Sequence, residues 1–171
     1  MKAVFIIAQV GYQDLEYNIP KKILENAGIE TVTASKRGGT CSGKLGGMVK
    51  DTLALADVKA ELYDAVIFIG GPGAVNYQQD AEAHKIAQEA KNSHKLLAAI
   101  CIAPTILAYA GVLERRKATV WNEDGQQERV LTSHGVRYVN ESVVVDGKII
   151  TANGPAAAEK FGKKILEMLN R

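Results

Sequence analysis

Cysteines are few and the net charge is small in this chain, and each of these facts argues against a class of protein. Only two of the 171 residues are cysteines, Cys41 and Cys101. Two thiols so far apart fit neither a disulfide framework nor a metal knuckle, so we expect reduced thiols and no metal. The formal net charge is only +2, and the basic residues are scattered. This composition gives no case for binding nucleic acid or an anionic membrane.

The chain also lacks a convincing secretory or membrane-spanning segment. Leu96–Leu113 runs for eighteen residues without a charge, which is about the lower limit for a spanning helix. Pro104 lies inside that run, where a proline would remove a helical hydrogen bond and clash with the preceding turn. The opening residues, MKAVFIIAQVGY, hold too short an apolar run for a signal peptide. We therefore expect a cytoplasmic protein that folds as one domain, residues 1–171.

What the chain does contain is an alternation of apolar strands and helical segments. Continuous apolar, β-branched stretches predict buried parallel strands at Lys2–Ala8, Gly28–Ser35, Tyr63–Ala74 and Leu96–Ile100. Helical segments are predicted at Asp14–Ala27, Asp80–Ser93, Ala103–Ala110 and Pro155–Leu169. Glycine-rich Lys36–Asp51 predicts turns or a small hairpin, and Val143–Thr151 predicts a hairpin turning at Asp146–Gly147. This order indicates an α/β sandwich around a mostly parallel sheet.

The turn after the predicted strand Leu96–Ile100 carries Cys101. In open α/β sheets ligands bind at the carboxyl ends of the strands, which is where this residue is placed. The unpaired amides and dipole at the start of the next helix favour a thiolate, so we expect a thiol pKa below about 8.5. A small buried cysteine that only fills space is the open alternative.

Four stretches, in chain order, resemble the DJ-1/PfpI superfamily: DLEYNIPKKILENAGIE, VIFIGGPGA, AAICIAPTILAYAGVL and DGKIITANGPAAAEKFGKKILEML. The resemblance covers almost the whole chain and weakens at 92–95 and between 114 and 140. It implies a flavodoxin-like three-layer α/β/α sandwich, a fold shared with class I glutamine amidotransferases, with a cysteine on a nucleophile elbow. It also implies chemistry without a cofactor and a homodimer.

The resemblance implies a role for each residue that matches. Cys101 corresponds to the nucleophile, and Glu16 to an acidic residue that contacts its thiol. Pro20 either kinks the predicted first helix or lies in its first turn, so Glu16 stands at or near the start of that helix. Gly70–Gly71 corresponds to a turn whose second amide joins the amide of Ile102 in an anion-binding pocket. Such donors stabilise the oxyanion that forms when a thiolate attacks a carbonyl.

The sequence departs from the family pattern at the histidine. Peptidase-type members carry histidine directly after the cysteine, where Ile102 stands here. Deglycase-type members carry one after the next strand, where Trp121 or Asn122 stands; we expect these two and Pro155 to be pocket walls. The remaining histidines are poor substitutes, two on or near a solvated helix and one in a weakly matching loop: His84, His94 and His134. Without the usual cysteine–histidine activation, a cysteine–glutamate pair remains.

Three functions follow, in decreasing order of preference. The first is a glyoxalase or deglycase that acts on small reactive carbonyls of the methylglyoxal class, through a hemithioacetal on Cys101 with Glu16 as proton shuttle. The alternative is a redox-sensing stress protein or chaperone whose Cys101 oxidises. An intracellular cysteine peptidase ranks third, because amide cleavage needs a proton delivered to the leaving nitrogen. Cys41 is expected to be an ordinary exposed or interface thiol.

Overall fold

The computed structural model describes residues 1–171, and its strands and helices alternate as the sequence predicts. The strands are β1 (Lys2–Ile6), β2 (Val10–Tyr12), β3 (Glu30–Ser35), β4 (Arg37–Gly43), β5 (Met48–Ala54), β6 (Ala65–Phe68), β7 (Leu96–Ile100), β8 (Lys117–Ala118), β9 (Arg137–Tyr138), β10 (Val143–Asp146) and β11 (Ile149–Ala152). The helices are α1 (Asp14–Asn26), α2 (Ala81–Asn92), α3 (Pro104–Tyr109), α4 (Gln127–Ser133) and α5 (Ala158–Leu169).

Nine strands form one sheet in the order β10-β11-β7-β6-β1-β3-β5-β4-β2, and β8 pairs with β9 separately. The central five, β3, β1, β6, β7 and β11, are parallel to one another. Numbered along the chain, these five have the order 2-1-3-4-5, which is that of flavodoxin. The sheet has two antiparallel pairs, β4–β5 and β10–β11, and neither joins two of these five strands. The predicted flavodoxin-like fold with a mostly parallel sheet is confirmed.

Successive residues of the central strands enter opposite sides of the core. In β1, Val4 and Ile6 pack on the side of α2 and α3, and Phe5 packs on the side of α1 and α5. This is the two-residue period of a strand, and burial on both faces explains why β1 is apolar throughout. The sheet is therefore the middle layer of three.

The apolar run Leu96–Leu113 is divided between a strand and a helix. Its first five residues form β7, and Pro104 is the first residue of α3, a position that tolerates proline. None of the helices in the structure has the length and apolar character needed to cross a membrane.

Two local expectations need correction. Cys41 is buried in β4 rather than exposed; its Sγ lies 3.6 Å from Gln9 Nε2 and 3.7 Å from Thr52 Oγ1, because alternation along β4 points this side chain into the core. Pro20 lies well inside α1, so its placement in the first turn is wrong. Since proline has no N–H, the carbonyl of Glu16 lacks its usual helical partner four residues on.

Candidate active site at the carboxyl ends of the central strands

Cys101 occupies a strained turn at the end of β7. Its φ is 64°, a left-handed conformation that is uncommon for a residue other than glycine. Both of its backbone polar groups are fixed: the amide donates to the Ala152 carbonyl at 2.9 Å, and the carbonyl accepts from the Trp121 amide at 2.8 Å. These bonds, made by the neighbouring chain segments, hold the thiol at the sheet edge where the sequence predicted it.

The start of α1 is anchored by polar side chains that bind backbone amides. Gln13 caps the helix by accepting from the Leu15 amide at 2.8 Å. The Asp14 carboxylate accepts from the amides of Leu45 and Gly47, each at 2.7 Å. Because Leu45 and Gly47 lie in the turn between β4 and β5, the two bonds to Asp14 tie this hairpin to the helix. They also bring Lys44 to the site.

Glu16 is completely buried on the first turn of α1. Its Oε2 accepts from the Gly70 amide at 3.1 Å, and the carboxyl group also lies within hydrogen-bonding reach of the Cys101 thiol. The other oxygen, Oε1, has no well-aligned partner. A buried carboxyl group with one oxygen unsatisfied is costly unless it is protonated or functional.

The glycine pair after β6 is required by close contacts. A Cβ atom at Gly70 would lie 2.5 Å from Cys101 Cβ and 2.6 Å from Glu16 Oε2, and one at Gly71 would lie 2.4 Å from the Gly11 carbonyl oxygen. Gly71 also has a φ of 104°. The amides of Gly71 and Ile102 both donate toward the Cys101 sulfur. The structure therefore brings the expected nucleophile, its acidic partner and the anion-binding turns together at one place.

The expected depression of the thiol pKa is wrong in this state of the protein. Burial raises the pKa of Cys101 to about 12, with the Glu16 carboxylate as the next cause, although the two amides oppose both. Helix α3 begins three residues after the thiol, and the dipole effect fades within about one turn. For this position the cost of burying charge exceeds the helix contribution.

Glu16 is perturbed in the same direction. Burial raises its pKa to about 7, while the thiol, the Gly70 amide and the Lys44 ammonium act in the opposite sense. Two like charges this close do not ionise together, so the groups titrate as a pair. Over a broad range above neutral pH the pair holds one proton, which can reside on oxygen or on sulfur.

A pocket of about 440 Å³ opens over this pair. Its walls include the thiol, the buried carboxyl group, Trp121 and Pro155 from the predicted set, and the unanticipated Lys44 and Val75. Asn122 does not line it but lines a neighbouring cavity of about 410 Å³. Lys44 could not be found from local pattern, because a contact between α1 and a distant hairpin brings it there.

No histidine lines this pocket. The ring of His84 bonds the Gln78 carbonyl at 2.6 Å, and His94 is exposed on a turn after α2. The ring of His134 bonds the Val130 carbonyl at 2.7 Å and packs on Tyr109 with ring centroids 4.5 Å apart. All three histidines therefore lie outside the thiol pocket, as the sequence suggested.

Known proteins resemble this chain over nearly its whole length in sequence and in fold. A deglycase of Pyrococcus horikoshii is 32% identical over 99% of this chain and 99% of its own length. A glutathione-independent glyoxalase of Caenorhabditis elegans is 25% identical over 98% of this chain and 88% of its own. The crystal structure of a ThiJ/PfpI domain protein from Brachyspira murdochii superposes with a TM-score of 0.94 at 34% identity, covering 99% of this chain and 96% of that one. The sequence model of the DJ-1/PfpI family matches residues 1–168, and the chain belongs to that family.

Proposed function

We propose that the protein is a cysteine-dependent glyoxalase or deglycase acting on small 2-oxoaldehydes of the methylglyoxal class. The observation that carries the proposal is the half-buried Cys101 thiol beside the fully buried Glu16 carboxyl group, on a pocket that Gly71 and Ile102 also line. Relatives named deglycase and glyoxalase, at 25–32% identity over nearly the whole chain, support the same chemistry. No redox cofactor is needed, because the reaction is an internal oxidation and reduction.

In the first step the shared proton resides on Glu16 and the sulfur is a thiolate. The sulfur attacks the aldehyde carbon of methylglyoxal, a carbon–sulfur bond forms, and the carbonyl π electrons move to oxygen. The amides of Gly71 and Ile102 favour negative charge at the Cys101 sulfur, and in this step they would donate to the neighbouring oxyanion and stabilise it. Glu16 then gives its proton to the oxyanion, and the product is a neutral hemithioacetal.

In the second step the Glu16 carboxylate acts as a base. It removes the proton from the former aldehyde carbon, giving an enediolate whose negative charge lies on the former ketone oxygen. The hydroxyl proton of the hemithioacetal passes to that oxygen, and Glu16 returns its proton to the former ketone carbon. The former aldehyde carbon is thereby oxidised to a thioester, and the former ketone carbon is reduced to an alcohol. Water hydrolyses the thioester, releasing lactate and the thiol. One carboxyl group whose pKa is about 7 suits both roles, since general acid–base groups work best near ambient pH.

The test is lactate formation from methylglyoxal by the wild type and three variants. We expect Cys101→Ser to abolish turnover, and Glu16→Gln to lower kcat by about 100-fold or more, which is typical for loss of a general acid–base group. Cys41→Ser, at a buried thiol outside the pocket, is the matched control and should retain activity. Absence of turnover by wild type with reduced Cys101 would overturn the proposal.

A redox-sensing role is the second candidate, and the same pocket favours it. The amides beside the sulfur and a protonated Glu16 are hydrogen-bond donors to sulfinate oxygens, which would stabilise that oxidation state. Mass spectrometry after mild hydrogen peroxide treatment tests it. Selective sulfinic acid at Cys101, with Cys41 unmodified and no lactate formed, would favour the sensor over the enzyme.

A further inference from the structure

The charged side chains on the wall of the thiol pocket are unbalanced. Three of them are carboxyl groups, those of Glu16, Glu123 and Asp124, and Lys44 is the one lysine or arginine. No histidine on this wall could supply a second positive charge. The site therefore has an excess of acidic groups and a single cation to balance them, and the proposed reaction has not yet used that cation.

The backbone that carries Lys44 is fixed to the start of α1. The Lys44 amide donates to the Tyr12 carbonyl at 2.8 Å, and the buried Asp14 carboxylate accepts from the Gly47 amide at 2.7 Å. A Cβ atom at Gly47 would collide with this carboxylate, so only glycine lets the turn come so close to the helix. The turn between β4 and β5 is thus held at the same end of α1 as Glu16.

Among the three carboxyl groups, that of Glu16 is the one on which the charge of Lys44 should act most strongly. Lys44 makes no ion pair. Glu16 is completely buried, and its Oε1 has no hydrogen-bond partner. Glu123 and Asp124 are exposed to solvent, and Asp124 already accepts from the Gln126 amide at 3.0 Å. Solvent and salt screen a charge on a buried group less than one on an exposed group.

Glu16 needs a nearby cation because its burial opposes ionisation. Burial raises the pKa of Glu16 to about 7, and the Cys101 thiol, the Gly70 amide and the Lys44 ammonium all act in the opposite sense. Of these three groups, only the ammonium carries a positive charge. A carboxyl group that stays protonated can donate a proton but cannot remove one, so a base at this position depends on groups that favour its charged form.

Resting on the proposed function, we propose that Lys44 is a positioning residue of the active site, whose ammonium group supplies the positive charge that a site without histidine lacks and so keeps Glu16 able to ionise. Lys44 acts through Glu16 and takes no part in bond making or breaking. The second step of the proposed reaction requires Glu16 as a carboxylate, and it is this step that the charge of Lys44 supports. The bonds between the hairpin turn and α1 hold the charge in place.

The ionisation of Glu16 is measured directly, by carbon NMR of its carboxyl group in protein labelled with ¹³C-glutamate. The starting protein is the Cys101→Ser variant, in which no thiol titrates beside the carboxyl group. The Glu16 signal is identified by its absence when Glu16→Gln is added. Lys44→Met removes the charge and Lys44→Arg keeps it. Lys50→Met, which makes the same charge change at an exposed residue of β5 outside the pocket, is the matched control.

We expect Lys44→Met to raise the midpoint of the Glu16 titration by about 0.5 pH unit, a modest shift because Lys44 is exposed to solvent. Lys44→Arg and Lys50→Met should each move it by less than about 0.2 unit, and about 1 M salt should reduce the effect of Lys44→Met to less than half. An unchanged midpoint in Lys44→Met, an equal shift in Lys50→Met, or a shift that salt leaves intact would overturn the proposal. Because no step of the test requires carbonyl turnover, failure of the glyoxalase activity is detected separately.

Discussion

At the scale of single residues, Glu16→Gln should change the reactivity of the Cys101 thiol and the rate of lactate formation in opposite directions. In Glu16→Gln the neighbouring carboxylate is gone, and it is one of the causes that raise the thiol pKa. The thiolate fraction, and with it alkylation of Cys101 by iodoacetamide at pH 8, should therefore rise about threefold or more. Lactate formation should fall at the same time, because the proton shuttle is lost.

The rate of alkylation is measured by mass spectrometry, as the fraction of alkylated Cys101 at successive times. Glu123→Gln removes an exposed carboxylate from the same pocket and is expected to change the rate much less. Slower alkylation in Glu16→Gln than in wild type would show that the carboxyl group activates the thiolate rather than competing with it.

Glu16 also makes stability depend on pH. Its pKa is raised in the folded protein from 4.5 to about 7, so the folded state binds a proton that the unfolded state releases. The stabilising contribution is complete below about pH 4.5 and is lost as pH rises through 7. The wild type should lose up to about 3 kcal/mol between these limits on this account.

The Glu16→Gln variant has no ionisable group at this position, so its stability should not fall in this way as pH rises. Urea unfolding of both proteins at pH 5 and pH 8 measures the difference. We expect the free energy of unfolding of the variant, relative to that of the wild type, to be higher at pH 8 than at pH 5 by up to about 3 kcal/mol. An equal difference in unfolding free energy between the two proteins at both pH values would mean that burial does not raise the pKa of Glu16.

At the scale of helices and strands, the contact between α1 and α5 fixes where the glutamate can lie. A Cβ atom at Gly162 would lie 2.8 Å from Pro20 Cα and 2.9 Å from Ile23 Cδ1. Gly162→Ala should therefore destabilise the fold by about 1–3 kcal/mol through overpacking, although alanine is the better helix former by about 1 kcal/mol. The midpoint of urea unfolding reports it.

Lys163→Ala, next along α5 at an exposed position, is the control and should change stability by less than about 0.5 kcal/mol. A more stable Gly162→Ala variant would show that the two helices separate at little cost.

Periodicity predicted the long elements because each has a continuous apolar face. β7 occurs at Leu96–Ile100, as predicted, and β1, α1 and α2 differ from prediction only at their ends. β2 was not predicted, because three residues are too few to show a hydrophobic period. α4 was not predicted either, and it lies where the family resemblance is weak. The approach of Lys44 and the direction of the thiol pKa depend on long-range contact and burial, neither of which a local pattern contains.

At the scale of the whole molecule, we propose a homodimer that forms through the sheet edge at β2, β4 and β5. Val10 and Met48 both pair with Ser42 across this edge, and the Asp14 contacts bring Leu15 near Leu45. These four apolar side chains are exposed: Val10, Leu15, Leu45 and Met48. Exposed apolar groups that gather in one region mark an interaction surface.

Sedimentation at micromolar concentration tests the assembly, with a glutamate placed inside and outside the surface. Met48→Glu should shift the protein to monomer, because its side chain is 64% exposed within the cluster. Leu62→Glu, at an equally exposed residue, 65%, in another part of the chain, should leave the dimer intact. A monomeric wild type, or equal loss in both variants, would contradict the proposal.

The left-handed backbone at Cys101 also affects which residues can replace this cysteine during evolution. A side chain in that conformation costs about 1 kcal/mol or more relative to glycine, so selection for stability alone would favour glycine or asparagine there. Retaining cysteine is worthwhile only while its sulfur is used. A lineage released from that use would be free to relax the turn, and the residue found at this one position then records whether the chemistry is still under selection.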